Sequence, residues 1–206
     1  MAVITISRES ASEGKEIARH LSEKLNYKIL NKAVMLELAA RLEADAQAHG
    51  SNGDADIIEG LLEWIRAPEV QKEKSPLSPL ALENSLTIRQ VRDLLLTAYK
   101  QGNMIIIGRG SQVVLANKPD VLHVRIIAPV EKRVALRAAR EGLSLKEAQK
   151  KLAEADKAHV DFVKNFFDVD NRDPLLYDLV INTDKLTVEA AADLIMLALE
   201  KLPKLI

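Results

Sequence analysis

Residues 2–25 read AVITISRESASEGKEIARHLSEKL, and this stretch decides the fold. Val3, Ile4 and Ile6 form a short β-branched run that stops at the polar turn Ser7-Arg8-Glu9-Ser10, which is the signature of a strand. From Gly14 the spacing becomes helical, with Ile17, Ala18, Leu21 and Leu25 on one face between Lys15, Glu16, Arg19, Glu23 and Lys24. A strand followed by a polar loop and an amphipathic helix is the opening of an α/β layer fold.

The same alternation continues outward. Tyr27–Asn31 reads as a second short strand, and Lys32 to about Ala48 as a helix. His49-Gly50-Ser51-Asn52-Gly53-Asp54 carries loop chemistry. Ile57 to Ile65 is a short amphipathic helix, and Ala67 to Ser85, with its three prolines, is a long connection, either a mobile loop or part of a lid. A helix is expected over Thr87–Lys100. Met104-Ile105-Ile106-Ile107 and Val121–Ala128 are apolar runs typical of strands buried on both faces of a parallel sheet. Pro129 opens a helix to Arg140, and Ser144 with Glu147 forms a capping box for a long helix to about Phe167. Tyr177–Asn182 reads as a last strand and Thr187–Leu199 as a last helix. The expected architecture is α/β, with a mostly parallel sheet and helices on both faces.

Composition narrows the function. With 29 Lys+Arg against 30 Asp+Glu and 3% aromatic residues, the chain has neither a global basic field nor stacking platforms for nucleic acid. It has no cysteine, which removes disulfides, thiol nucleophiles and cysteine-ligated metals. No apolar run approaches the roughly 20 residues of a membrane helix. The start Met1-Ala2-Val3-Ile4 lacks signal-peptide character, so a cytoplasmic location is expected. His20, His49 and His123 have no metal-ligand spacing, and His159 between Ala158 and Val160 reads as incidental. No metal site is expected from side-chain spacing.

In such folds ligands sit beyond the carboxyl ends of the strands. There the segment Glu9-Ser10-Ala11-Ser12-Glu13-Gly14-Lys15-Glu16 has the spacing of a phosphate-binding loop, in which backbone N–H groups wrap an anion and a lysine adds a point charge. Glu9 stands at the first glycine position and Glu16 where a hydroxyl would face magnesium. A plain surface turn before a helix explains Gly14-Lys15 equally well. Gly108-Arg109-Gly110-Ser111 ends a buried strand, where an arginine can fork onto a phosphate; a tight turn with a solvated arginine is the alternative. Arg133, Arg137 and Arg140 share one helix face, as solvated surface stripes also do. The Ile57–Ile65 helix with Trp64 reads as core packing, with a homodimer face or an acceptor-site lid as alternatives.

The order of these parts resembles the cytidylate kinase-like family of P-loop kinases. The resemblance is carried by Ile4-Thr5-Ile6-Ser7-Arg8-Glu9, Gly14-Lys15-Glu16-Ile17-Ala18, Ile105–Gly110, Val124–Pro129, Arg133, Arg140–Ser144 and Asp173–Thr183. It implies one P-loop kinase-like domain over residues 1–206, of three-layer α/β architecture, with a helical acceptor-binding insertion at about 32–90 and a LID at about 144–168. It further implies ATP and Mg2+ as cofactors and a nucleoside monophosphate, CMP-like, as acceptor. By resemblance, Ser10, Ser12, Gly14, Lys15 and Glu16 would hold the donor nucleotide. Arg109, Gly108 and Asp156 would face the acceptor, and Lys15, Arg133, Arg137 and Lys157 would neutralise the transferring phosphoryl group. The departures are Ser10, Ala11 and Glu13 in a loop that is glycine-rich in relatives, Gly110 after Gly-Arg, and Lys157, Ala158 and His159 in a LID that is otherwise rich in arginine. The departures leave a second expectation, a nucleotide sensor or interaction module without catalysis.

Overall fold

A computed structural model describes residues 2–38, 53–66 and 87–203. In chain order the elements are β1 (Val3–Arg8), α1 (Gly14–Leu25), β2 (Lys28–Leu30), α2 (Gly53–Arg66), α3 (Ile88–Gln101), β3 (Met104–Ile107), α4 (Ser111–Val114), β4 (Val121–Ile127), α5 (Val130–Glu141), α6 (Leu145–Phe167), a 3-10 turn (Pro174–Leu176), β5 (Leu179–Asn182) and α7 (Val188–Glu200). Residues 32–38 are helical as well, with Asn31 Oδ1 accepting from Val34 N. The segment Ala67–Ser85, the His49–Asn52 part of the expected loop, and the helix beyond residue 38 lie outside the described residues.

The five strands form one parallel sheet in the order β2-β3-β1-β4-β5. Because side chains alternate along a strand, the sheet feeds two cores. Val3, Met104, Ile106 and Val121 face Leu61, Val91, Leu94, Leu95 and Ala98 of the helices on one side. Ile4, Ile6, Ile105, Ile107, Leu122 and Val124 face Ile17, Ala18 and Leu21 of α1 and Ala191, Ala192 and Ile195 of α7 on the other. Leu61 is fully buried, so its turn of α2 is core packing. The result is the expected three-layer α/β arrangement.

The helix starts follow their caps. Thr87 and Gln90 form a reciprocal capping box for α3, and Ser144 and Glu147 form the one expected for α6. Two boundaries differ from the sequence reading. Gly53 and Asp54, expected in a loop, belong to the first turn of α2. The strand expected from Tyr177 begins only at Leu179. Asp173 caps the 3-10 turn by accepting from Leu175 N at 2.9 Å, and Asp178 is held by His123 through its backbone N–H (2.8 Å) and its carboxylate (2.7 Å).

Connections leave β1 toward β2 on one side and β4 toward β5 on the other, so the switch in strand order lies between β1 and β4. Ligand clefts in open parallel sheets form at this place.

Candidate functional site

The loop Glu9–Glu13 is sewn to β4 before any ligand enters. Glu9 N donates to Ile126 O at 3.1 Å, and the Ser12 hydroxyl donates to Glu9 O at 2.9 Å. Thr183 Oγ1 donates to Ser12 O at 3.2 Å. Ala11 and Glu13 occupy the left-handed region, at φ 59° and 66°, a conformation that costs an L-residue about 1–2 kcal/mol. Glu13 turns toward Lys132 Nζ at 3.0 Å, and Glu16 pairs with Arg140 at 2.9 Å. Gly14 is required by crowding, since a Cβ there would lie 2.7 Å from Arg8 Cδ.

Two arginines of α5, Arg133 and Arg137, close over this loop. Arg133 of α5 is only 7% exposed. Its Nε donates to Ala128 O at 3.0 Å and lies 3.4 Å from Glu9 Oε2, while its Nη1 reaches Asp156 Oδ2 of α6 at 2.5 Å and Ser10 O at 3.4 Å. Asp156 also accepts from Ser10 N at 2.9 Å. Arg137 donates to Ser10 Oγ at 3.2 Å and pairs with Glu141. Arg140 stays near the surface, so the guanidinium stripe is only partly solvated.

A polar column crosses the sheet beneath. Thr5 pairs with His123 and Ser7 with Arg125 in the parallel register of β1 and β4. Thr5 Oγ1 is 2.7 Å from His123 Nδ1, and Arg125 donates to Ser7 Oγ (3.3 Å) and Asn171 O (2.8 Å), with Tyr177 5.6 Å beneath its guanidinium. Burial pushes His123 below the usual imidazole range against the opposing charge of Asp178.

After β3, Gly108, Arg109 and Gly110 are all left-handed, with φ 71°, 58° and 70°. Arg109 lies over the Phe162 ring at 5.0 Å, and burial lowers its pKa. His159 Nε2 approaches to 3.3 Å of where a Gly108 Cβ would stand, and the Phe167 ring fills the space a Gly110 Cβ would need. The His159 pKa is pushed down first by burial and then by Arg8, with Asp156 opposing and Arg109 and Arg125 adding to the depression. A cleft of about 240 Å³ is lined by Arg8, Glu9, Arg125, Asp156, His159 and Asn171, together with Lys157, Val160 and Arg172.

Of the residues singled out from the sequence, the structure joins Ser10, Gly14, Arg133, Arg137 and Asp156 around one loop. Gly108 and Arg109 adjoin it through His159 and Phe162. Ser12 is buried with its hydroxyl spent on backbone carbonyls. Lys157 lines the cleft and pairs with Asp161. Lys15 is exposed and makes no hydrogen bond or ion pair among the described residues.

Sequence reasoning passed over Arg8, Arg125 and His159. For Arg125 the signal was present: a charge inside the apolar run Val121–Ile127 must find partners when buried. For His159 a helical position between Ala158 and Val160 gave no signal, because its neighbours come from other elements.

The model of the cytidylate kinase-like family matches residues 3–185. The chain belongs to this family. The cytidylate kinase of Methanocaldococcus jannaschii is 27% identical over 206 residues, covering 98% of this chain and 99% of that protein. The cytidylate kinase of Pyrococcus horikoshii is 32% identical over 114 residues, covering 55% of this chain and 58% of that one, so the match spans little more than half of that relative. Among solved structures, an uncharacterized protein from Eubacterium ventriosum superposes with a TM-score of 0.70 at 21% identity, over 98% of this chain and 99% of that one. That likeness concerns the fold. No helix among the described residues of this family member is long and apolar enough to cross a membrane.

Proposed function

We propose that this cytidylate kinase-like chain transfers the γ-phosphoryl group of ATP to the phosphate of a nucleoside monophosphate, with a CMP-like acceptor. The observation that carries the reading is the convergence of guanidinium groups from β4, α5 and the turn after β3 at the switch point of the parallel sheet. Phosphoryl transfer asks a protein for positioning and charge stabilisation. An acceptor phosphate oxygen forms a bond to the γ-phosphorus as the β–γ bridge breaks, and ADP leaves. In the proposed transfer Arg133 and Arg137, which hydrogen-bond to Ser10, neutralise the transferring group. Arg109, at positive φ and over Phe162, is the proposed contact for the acceptor. In this reading residues 32–90 supply the acceptor-binding insertion and 144–168 the LID.

The residues fit a polyanion better than a protein-held magnesium ion. Glu9, Asp156 and Glu16 are each already engaged by an arginine, so magnesium is proposed to come with the phosphates of ATP, where it offsets their charge.

A second reading, nucleotide binding without transfer, is favoured by Ala11 and Glu13 at positive φ and by Asp156 on the Ser10 N–H. A coupled assay for ADP release, run with ATP·Mg against a panel of nucleoside monophosphates beside calorimetric titration, separates the two. Turnover with one monophosphate supports the kinase; ATP binding without turnover supports the sensor. Silence with every nucleotide refutes both.

A further inference from the structure

Arg8 closes β1 and runs across Gly14, whose missing side chain leaves it room. Its Nε is buried without a hydrogen-bond partner, and no ion pair or hydrogen bond of its side chain is found among the described residues. A guanidinium carries five N–H donors; Arg8 is half-buried, and its Nε is the donor buried without a partner. The neighbouring charges do not relieve it. Glu16 is the acid that acts on Arg8, but its carboxylate is paired with Arg140. Arg8 and Arg125 both line the cleft together with His159. Glu9 and Asp156, the acids of that cleft, are held by Arg133 and the Ser10 N–H. The cleft therefore presents unspent positive charge at Arg8. Lys15, by contrast, sits on the exposed side of the first turn of α1.

We infer that Arg8, rather than Lys15, is the side chain that contacts the phosphate oxygens of a polyphosphate ligand bound between the Glu9–Glu13 loop and His159. The inference deepens the phosphoryl-transfer reading and rests on it for the nature of the anion. It also accounts for Gly14 in terms of Arg8: any side chain at 14 would push the guanidinium off its path.

The test titrates the full chain, and its Arg8→Gln and Lys15→Gln variants, with inorganic tripolyphosphate and with ATP. In parallel, the arginine Nε–Hε NMR signals of the unsubstituted protein are followed as tripolyphosphate is added. Expected are a loss of affinity of at least tenfold in Arg8→Gln, less than threefold in Lys15→Gln, and a ligand-dependent shift of the Arg8 Nε–Hε signal. The NMR arm needs no substitution, so it stands even if Arg8→Gln does not fold. Binding that depends on Lys15 and leaves the Arg8 signal unmoved at saturation overturns the inference while keeping the phosphoryl-transfer reading. An unsubstituted protein that binds neither tripolyphosphate nor ATP overturns both.

Discussion

Gly110→Ala is the substitution whose cost the structure prices most fully. Gly110 has φ 70°, and a Cβ there would lie 2.2 Å from Phe167 Cε2, 2.7 Å from Cζ and 2.8 Å from Cδ2. The left-handed backbone costs an alanine about 1–2 kcal/mol, of which about 0.4–1 is returned by the stiffer unfolded chain. Overpacking against the ring adds about 1–3 kcal/mol. The sum is a loss of about 1–5 kcal/mol, with a melting temperature lower by about 2–4 °C for each kcal/mol in a chain of this length. Phe167 is the last residue of α6, and its ring can swing only by giving up its contact with Phe162, 6.3 Å between centroids. Thermal and urea unfolding of Gly110→Ala, Phe167→Ala and the double variant form the assay. The double variant should recover the overpacking part, so the two losses fall short of additivity by about 1–3 kcal/mol, with the backbone part remaining. Additivity within about 0.5 kcal/mol, or a single-variant loss below that figure, refutes the reasoning.

Arg133→Met should destabilise the fold by about 1–3 kcal/mol, because it removes the guanidinium shared by Glu9 and Asp156, whose side chains are 28% and 29% exposed and hence partly screened, and leaves them only the Ala128 and Ser10 N–H groups and the more distant Arg125; a loss under about 0.5 kcal/mol by chemical denaturation would show that the cluster contributes little. The pH dependence follows from His123: burial holds its native pKa below the unfolded value of about 6.5. The unfolded chain therefore binds the extra proton first, and stability present above pH 6.5 is lost as pH falls toward the native pKa. His123→Asn, measured from pH 7 to 5, should flatten this slope without abolishing it, since His159 is shifted in the same direction; an unchanged slope would refute the assignment.

The layers of the fold were legible because they rest on local patterns. The apolar runs at Met104–Ile107 and Val121–Ile127, the two capping boxes, and Pro129 before α5 each fix an element without reference to the rest of the chain. The start of β5 was not legible, since Asp178 is turned by His123, a residue of another strand. The site divides the same way. The loop and the Gly108–Gly110 turn follow from their place after apolar strands, and Arg133 and Arg137 from helical spacing. Which cation enters the cleft depends on Arg8 passing over Gly14, a close approach between residues on two elements. A motif read by spacing alone points to Lys15 because spacing carries no information on where a side chain goes.

The hydrogen bond from Ser10 N to Asp156 joins residues 146 positions apart, and it ties α6 to the loop after β1. Its acceptor is a side chain on the far helix, so exchange of the Ser10 amide proton with solvent requires that contact to open, and lifting of the helix is one way to open it. A single amide signal thus serves as a clock for the opening of this contact with α6, readable in deuterium oxide without labels on the helix itself.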